Sequence, residues 1–160
     1  MSATAPISIQ QLTSEDVRLM EAMLTMFGEA FDEKETYGKD RPSRSYLERL
    51  LMSDYFIALA ALKHDTVVGG IAAYELPKFE QERSEVYIYD LAVAVEYRRE
   101  GIATALIREL KEIAATRGAY IIFVQADIED TPAISLYSRL GARKEALHFD
   151  IEVAGGKNDA

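Results

Sequence analysis

Hydrophobic and polar residues follow two periods along this chain, and the changes between them predict its elements. Apolar runs with the alternation or the β-branched and aromatic content typical of strands cover residues 7–12, 55–62, 67–76, 85–95, 119–126 and 147–153. Apolar residues three and four apart predict helices that begin near residues 17, 44, 102 and 132. The order β, α, α, β, β, β, α, β, α, β predicts a mixed α+β fold, antiparallel except where a helix crosses over between strands 85–95 and 119–126.

Local signals mark where the helices begin. Thr13 followed by Asp16 predicts a capping box for the first helix, and Ser43 predicts a cap for the second. Thr131 with Pro132 predicts a cap and a first-turn proline for the last helix. These signals place the boundaries of three helices.

The connections between the elements carry two further predictions. Residues 32–42 are polar and predict a loop, which either closes over a substrate or is a solvated connector. Residues 63–66 predict the turn of a hairpin, and Gly69 with Gly70 predicts a bulge or a close approach by another segment. The tail, residues 154–160, is expected to fray.

The helix near residue 102 begins without a capping side chain. Arg98 and Arg99 precede it, Gly101 permits close approach of the backbone, and Gly118 stands where the apolar pattern stops. Unpaired helix N–H groups, the helix dipole and arginine side chains together favour an anion. The pattern therefore indicates a phosphate site, with an ordinary strand–helix unit and solvated arginines as the alternative.

The composition narrows the classes of partner. The chain has 160 residues, which predicts one domain over 1–160 with a core from about 7 to 153. Its net charge of −9, from 27 acidic against 18 basic residues, argues against a nucleic-acid partner and is compatible with a cationic small molecule.

The chain has no Cys, so a thiolate nucleophile and a cysteine metal site are excluded. The absence of a signal-like start and of long apolar runs predicts a cytoplasmic protein without a membrane partner.

One acid stands in an unusual place. Asp90 lies in an otherwise apolar and aromatic strand, beside Tyr89, where a carboxylate is costly unless it faces a cleft or is paired. An alkylammonium has a pKa of about 10, and a carboxylate beside it can bind it and take its proton. Asp90 is thus a candidate general base, with a buried Asp–Arg pair as the alternative.

Other side chains are candidates for binding a substrate with several ammonium groups, although each acid alone could be a solvated surface residue. The substrate-binding candidates are Glu80, Glu85, Tyr89, Asp90, Asp127, Glu129 and Asp150.

Two motifs resemble those of one enzyme family. Arg98-x-x-Gly101-x-Ala103 resembles the Gln/Arg-x-x-Gly-x-Gly/Ala element with which Gcn5-related N-acetyltransferases hold the pyrophosphate of acetyl-CoA. The run from Asp130 to Ala142 is similar to the family's Asn-x-x-Ala-x-x-Leu-Tyr-x-x-x-Gly-Phe. It has Asp130 for Asn, which weakens one expected cofactor contact, and Ala142 for the aromatic. The resemblance implies the acyl-CoA N-acyltransferase fold, a mixed and mostly antiparallel sheet with helices on both faces.

The same resemblance implies acetyl-CoA as cofactor, no metal, and a set of site residues. Tyr137 matches the family's tyrosine that can protonate the leaving thiolate; taken alone, a core aromatic whose hydroxyl reaches water is the favoured alternative. The cofactor-binding residues implied are Leu91, Ala92, Val93, Arg98, Arg99, Glu100, Gly101, Ile102, Ala103, Thr104, Asp130, Ala133 and Tyr137.

Longer runs, among them residues 76–81 and 87–93, resemble the type I aminoglycoside 3-N-acetyltransferases, or gentamicin acetyltransferases, over most of 50–153. This closer resemblance implies direct transfer, in a ternary complex, to the 3-amino group of the 2-deoxystreptamine ring, antibiotic resistance, and a homodimer. Two alternatives stay open: an acetyltransferase of the same fold for a polyamine or a peptide amine, and a non-catalytic acetyl-CoA sensor. The presence of both Asp90 and Tyr137 speaks against the sensor.

Overall fold

The computed structural model describes residues 6–154. The chain divides into two compact units, residues 1–125 and 126–160, and each is described by itself. In the second unit, the described residues 126–154 contain one helix, α5 (Thr131–Leu140). The elements of the first unit are β1 (Ser8–Gln11), α1 (Val17–Ala30), α2 (Lys34–Gly38), α3 (Arg44–Met52), β2 (Phe56–Lys63), β3 (Thr66–Pro77), β4 (Ser84–Val93), α4 (Ile102–Thr116) and β5 (Ala119–Val124).

The five strands form one sheet in the order β1-β2-β3-β4-β5. The first three pairings are antiparallel, and β4 pairs with β5 in parallel. The helix α4 makes the crossover that a parallel pair requires. The predicted mixed, mostly antiparallel sheet is confirmed. The prediction of a single domain stays a prediction.

Helices cover both faces of this sheet, as expected. A Cβ built on Gly70 lies 2.9 Å from Met23 Cε, so α1 packs closely on one face. A Cβ built on Gly69 lies 3.1 Å from Ile102 Cγ2, so α4 packs on the other face. Side chains of successive strand residues point to opposite faces, and the two adjacent glycines therefore admit one helix each.

The predicted hairpin is confirmed in detail. The residues between β2 and β3 are His64 and Asp65, with φ of 51° and 60°, which is the left-handed pair that a tight two-residue hairpin turn needs. The register between the two strands shifts near Ala61 and Leu62, so a bulge also lies close to the predicted glycine pair. Both expectations for that pair, bulge and close approach, are met.

The predicted helix starts were right in one case and displaced in two. Ser43 Oγ accepts from Tyr46 N–H at 3.2 Å and caps α3. Thr13 N–H donates to Asp16 Oδ2 at 2.8 Å, but residues 13–16 form a turn, and α1 begins only at Val17. The cap of α5 is Asp130 rather than Thr131, because its carboxylate already satisfies a first-turn N–H group of the helix.

The predicted loop 32–42 contains a helix that the sequence pattern did not reveal. α2 has five residues, too few for a helical period to appear in the sequence. Its Tyr37 ring packs 6.1 Å from Phe27 and 5.9 Å from Phe31, between ring centroids, and both phenylalanines belong to the region of α1. Contacts between elements therefore stabilise α2.

The predicted last strand, residues 147–153, is wrong: in the described chain this segment has no strand partner. Its alternating apolar side chains are exposed, Leu147 by 84%, Phe149 by 77%, Ile151 by 88% and Val153 by 81%. Alternation predicts a strand only where a neighbour supplies hydrogen bonds and a covered face. Of the predicted tail, residues 155–160 lie outside the described residues.

No helix within residues 6–154 is long and apolar enough to cross a membrane. The expected cytoplasmic location and the expected lack of nucleic-acid and membrane partners stay predictions.

Candidate active site

A bulge in β4 decides where the Asp90 side chain points. Tyr87 pairs with Tyr74 of β3 and Ile88 with Ala73, but Asp90 pairs with Ala72, so Tyr89 is an extra residue. In an unbroken strand Asp90 would share a face with Ile88. The extra residue instead places Asp90 opposite Ala72, on the face that carries Tyr74 and Tyr87. This is the face that α1 covers, since Ala72 belongs to the hydrophobic cluster of that helix.

The carboxylate of Asp90 is partly buried and hydrogen-bonded. The Tyr37 hydroxyl donates to Asp90 Oδ2 at 2.9 Å. Burial raises the pKa of the Asp90 carboxyl, the Tyr37 hydrogen bond opposes that rise, and the charge of Glu33 adds to it. A carboxylate with a raised pKa is a better proton acceptor, as a general base requires. The alternative of a buried Asp–Arg pair is wrong, because the partner is a tyrosine.

Aromatic side chains form a row across the sheet on the same face. The register aligns Phe56 with Tyr74, Tyr74 with Tyr87, and Tyr87 with Phe123. Ring centroids are 5.2 Å apart for Phe56 and Tyr74 and 4.7 Å apart for Tyr87 and Phe123. Tyr89, 63% exposed, lies 5.9 Å from both Tyr74 and Tyr87 and completes the row beside Asp90.

Three tyrosines of this row, Tyr74, Tyr87 and Tyr89, line one side of an open cleft of about 880 Å³. The faces of tyrosine rings attract cations, and a site of this kind suits an ammonium group on a sugar or an alkyl chain. Tyr89 was predicted to bind substrate. The other tyrosines of the cleft, Tyr55, Tyr74 and Tyr87, were not predicted to do so, although all three lie in predicted strands. The lining residues are Asp54, Tyr55, Tyr74, Glu75, Leu76, Pro77, Tyr87 and Tyr89.

Two of the predicted substrate-binding acids share a lysine. Lys78 Nζ lies 2.7 Å from Glu80 Oε1 and 3.2 Å from Glu85 Oε1, and the Tyr120 hydroxyl donates to Glu85 at 2.8 Å. Hydrogen bonds from Tyr120 and Lys78 hold the pKa of Glu85 below its usual range, and that from Lys78 does the same for Glu80. The structure thus gives both acids a cationic partner from their own chain. Their role in binding ammonium groups stays a prediction.

The edge of β4 toward β5 opens beyond the bulge. The parallel pairing involves β4 residues 84–88 only, whereas Leu91, Ala92 and Val93 pair with β3 alone in the described chain. Their second edge is therefore left without a strand, and peptide groups there can bind amides of a ligand. Val93 O is engaged, because Arg98 Nε donates to it at 3.3 Å.

The start of α4 has the features expected of an anion site. Gly101 has φ of 79°, and no side chain of the described residues caps the helix. The N–H groups of Ile102, Ala103 and Thr104 belong to the first turn and have no intrahelical acceptor. A Cβ built on Gly101 meets no heavy atom of the described chain within 4 Å, so the space beside Gly101 is open. The residues present therefore fit a phosphate-bearing cofactor.

The three side chains that precede α4 differ in the contacts that they make. The Arg98 guanidinium donates to the carbonyls of Val93 and Ala30 and so joins β4 to α1. Glu100 forms an ion pair with Lys63 at 3.3 Å. Arg99 is exposed. Arg99 is consequently the arginine with the freer side chain, and the cofactor-binding role predicted for all three residues stays a prediction.

The second unit carries the remaining predicted residues. Asp130 Oδ1 accepts from Ala133 N–H at 3.2 Å and caps α5. Burial, and then the charge of Asp130, raises the pKa of Tyr137 to about 12, so its phenol stays protonated at neutral pH. Glu129 and Asp127 are exposed, and Asp150 lies 2.8 Å from His148. The roles predicted for these side chains stay predictions.

Within the described residues, no three His, Cys, Asp or Glu side chains come together as a metal site would require.

Comparison with known proteins gives the family. Residues 20–142 match the acetyltransferase (GNAT) family. N-alpha-acetyltransferase 30 of Schizosaccharomyces pombe is 30% identical over 104 residues, which are 62% of this chain and 67% of that protein. The chain spans only 37% to 53% of the length of five other curated relatives that it matches.

Two solved structures are similar in both fold and sequence. An aminoglycoside acetyltransferase from an uncultured soil metagenomic sample is 64% identical, with a TM-score of 0.91 over 93% of this chain and 99% of that one. A second aminoglycoside acetyltransferase of soil metagenomic origin, in complex with sisomicin, is 28% identical, with a TM-score of 0.86 over 92% of this chain and 96% of that one.

Proposed function

Since the chain belongs to the GNAT acetyltransferase family, we propose that it transfers the acetyl group of acetyl-CoA to an amino group of an aminoglycoside. The observation that carries the proposal is Asp90, turned by the β4 bulge toward the tyrosine row. Two similar solved structures are aminoglycoside acetyltransferases, which supports this substrate class. We further propose the 3-amino group of the 2-deoxystreptamine ring, gentamicin-type substrates, direct transfer in a ternary complex, and resistance as the role, on the resemblance of residues 50–153.

The chain's own residues then divide the work. When bound, acetyl-CoA would supply the activated acetyl group; the N–H groups of residues 102–104 would hold its phosphates, and the open edge of residues 91–93 would hold the part of the cofactor that leads to the acetyl group. The tyrosine row receives the cationic sugar. Asp90 binds the ammonium group of the substrate and accepts one of its protons, which leaves a nucleophilic amine. Tyr137 keeps a proton on its hydroxyl at neutral pH. As the new C–N bond forms and the C–S bond breaks, Tyr137 donates this proton to the leaving sulfur, and the second proton that the nitrogen loses restores the Tyr137 hydroxyl, directly or through water.

A second acceptor class is supported by a separate observation. The relative from Schizosaccharomyces pombe is an N-alpha-acetyltransferase, which favours a peptide amine as the alternative. A polyamine would suit the tyrosine row by the same cation–π chemistry.

Release of the coenzyme A thiol tests the proposal. Sisomicin, gentamicin, spermidine and a short peptide are compared as acceptors, and NMR of the product locates the acetyl group. We expect turnover of the aminoglycosides with the acetyl group on the 3-amino nitrogen. Turnover of the peptide or spermidine alone would refute the substrate class, and acetylation at another position would refute the regiochemistry.

Substitution of the proposed base tests the mechanism. Asp90→Asn should lower kcat by about 10²- to 10⁴-fold, while calorimetry shows unchanged coenzyme A binding. Asp65→Asn is the matched control, because Asp65 is an exposed residue of the hairpin turn and its left-handed φ of 60° suits Asn. An Asp90→Asn rate equal to that of the control would remove Asp90 from the role of base.

We also propose that the enzyme is a homodimer. The exposed alternating side chains of residues 147–153 and the edge strand β5 are surfaces that a second copy would cover. Light scattering measures the mass, and Phe149→Asp with Ile151→Asp should shift it to that of one chain. A wild-type mass of one chain would contradict the proposal.

A further inference from the structure

The segment between α1 and α3 supplies the hydrogen-bond partner of Asp90. Tyr37 lies on α2, 53 positions earlier in the chain, and its hydroxyl donates to Asp90 Oδ2 at 2.9 Å. We propose that Tyr37 is a positioning residue for the reaction, donating to one oxygen of the Asp90 carboxylate so that the negative charge of Asp90 is stabilised while its other oxygen is left free for the substrate ammonium. This inference rests on the proposed function, because it assumes that Asp90 is the base.

The fold holds Tyr37 from three sides. Its ring packs against Phe27 and Phe31. The α1 position opposite its Cβ is Gly28, where an added Cβ would lie 3.1 Å from Tyr37 Cβ, so only a residue without a side chain leaves this spacing undisturbed. Arg41 donates to the Tyr37 carbonyl at 3.1 and 3.3 Å. The hydroxyl is thus presented by a packed side chain rather than by a free loop.

The groups around Asp90 make this hydrogen bond important. Tyr37 is the one side chain in the described residues that hydrogen-bonds to Asp90. The charge of Glu33, the residue directly before α2, repels the Asp90 carboxylate. The other titratable groups that interact with it are tyrosines of the row, Tyr74 and Tyr87. With no lysine or arginine paired to it in this part of the chain, the carboxylate depends on Tyr37 for stabilisation of its charge.

Removal of one oxygen atom tests the inference. Tyr37→Phe keeps the ring and its packing but takes away the donor. Loss of the donor raises the pKa of Asp90, so the acid limb of kcat/KM against pH should move upward by about one pH unit. On the alkaline plateau kcat should change by less than about threefold, since a more basic carboxylate still accepts the proton. The titration of the substrate amine is common to both enzymes, and the difference between the profiles therefore reports Asp90.

Tyr46→Phe is the matched control. Tyr46 is 52% exposed on α3, and its profile should coincide with that of the wild type. A Tyr37→Phe enzyme that loses the same factor at every pH, with its acid limb unmoved, would show that Tyr37 has only a structural role and would overturn the inference. A profile identical to that of the control would overturn it equally.

A measurement without substrate separates this inference from the proposed function. Carbon NMR of protein labelled at the Asp side-chain carboxyl follows the titration of each Asp, and Asp90→Asn identifies the signal of Asp90. The Asp90 pKa should be higher in Tyr37→Phe than in wild type or Tyr46→Phe, even if no aminoglycoside is acetylated. An unchanged Asp90 titration would refute the coupling, whatever the substrate.

Discussion

Gly101 and Gly118 lie at the two ends of α4 and have the same backbone conformation. Their φ values are 79° and 82°, and a Cβ built on either meets no heavy atom of the described chain within 4 Å. Substitution by Ala therefore creates no clash at either position and affects stability through the backbone alone. Gly101 precedes the open helix start that fits a phosphate, whereas Gly118 follows the opposite end of the same helix. The two substitutions thus form a matched pair.

The expected loss of stability can be worked out from the conformation. A left-handed conformation costs an L-residue about 1–2 kcal/mol relative to glycine. Ala also has less freedom than Gly in the unfolded chain, which returns about 0.4–1 kcal/mol. Each of Gly101→Ala and Gly118→Ala should therefore lower the free energy of unfolding by about 1 kcal/mol. Urea unfolding followed by circular dichroism measures this loss.

The two variants should differ in their binding of coenzyme A. In Gly101→Ala the added methyl group projects into the open space beside the helix start, where the phosphate is proposed to bind, and an obstruction that costs about 1 kcal/mol would lower the affinity about fivefold. Gly118→Ala should bind coenzyme A as the wild type does. Equal affinities for the two variants, measured by calorimetry, would refute the placement of the anion site at the start of α4. Wild-type stability of both variants would refute the strain argument itself.

Two further predictions concern stability. Leu106 of α4 is 0% exposed, so Leu106→Ala should lower the free energy of unfolding, measured in urea, by about 2–5 kcal/mol. The control Val95→Ala, at a position 62% exposed, should change that free energy by less than about 0.5 kcal/mol. Equal losses for the two variants would contradict the assignment of Leu106 to the core. The pKa of the Asp90 carboxyl is raised in the folded protein, so the folded protein binds this proton more tightly than the unfolded chain does. The free energy of unfolding of the wild type should therefore fall as the pH rises from the ordinary Asp range through the raised pKa. Asp90→Asn should lack this fall, and urea midpoints with the same pH dependence in both proteins would contradict it.

Much of the first unit could be predicted from local pattern. The strands β2 to β5 and the helices α1, α3 and α4 follow from apolar periodicity, and the parallel β4–β5 pair follows from the helix between them. The uncapped start of α4 was also visible, because the absence of a capping side chain and the presence of Gly101 are properties of adjacent residues. Features of this kind depend on interactions within one turn or one strand, which neighbouring residues determine.

The candidate site depended on contacts between distant residues. The sequence marked Asp90 as an unusual acid, but the extra residue at Tyr89 is a matter of register between two strands, and it alone turns the carboxylate to the tyrosine row. The partner Tyr37 lies on a helix too short to show a period, held by the packing of α1. Lys78 joins Glu80 to Glu85 across a connection that the sequence shows only as polar.

Residues 147–153 show that a local pattern does not form a strand when a pairing partner is missing. Their alternation predicted a strand, yet a strand exists only where a second backbone supplies hydrogen bonds, and the described chain offers none there. The sequence by itself thus determined the strands β1 to β5 and the helices α1, α3, α4 and α5, and it marked the helix start suited to an anion and the candidate acid. Only the tertiary structure decided pairing, register and side-chain partners, because these are contacts between residues far apart in the chain, which no local period encodes.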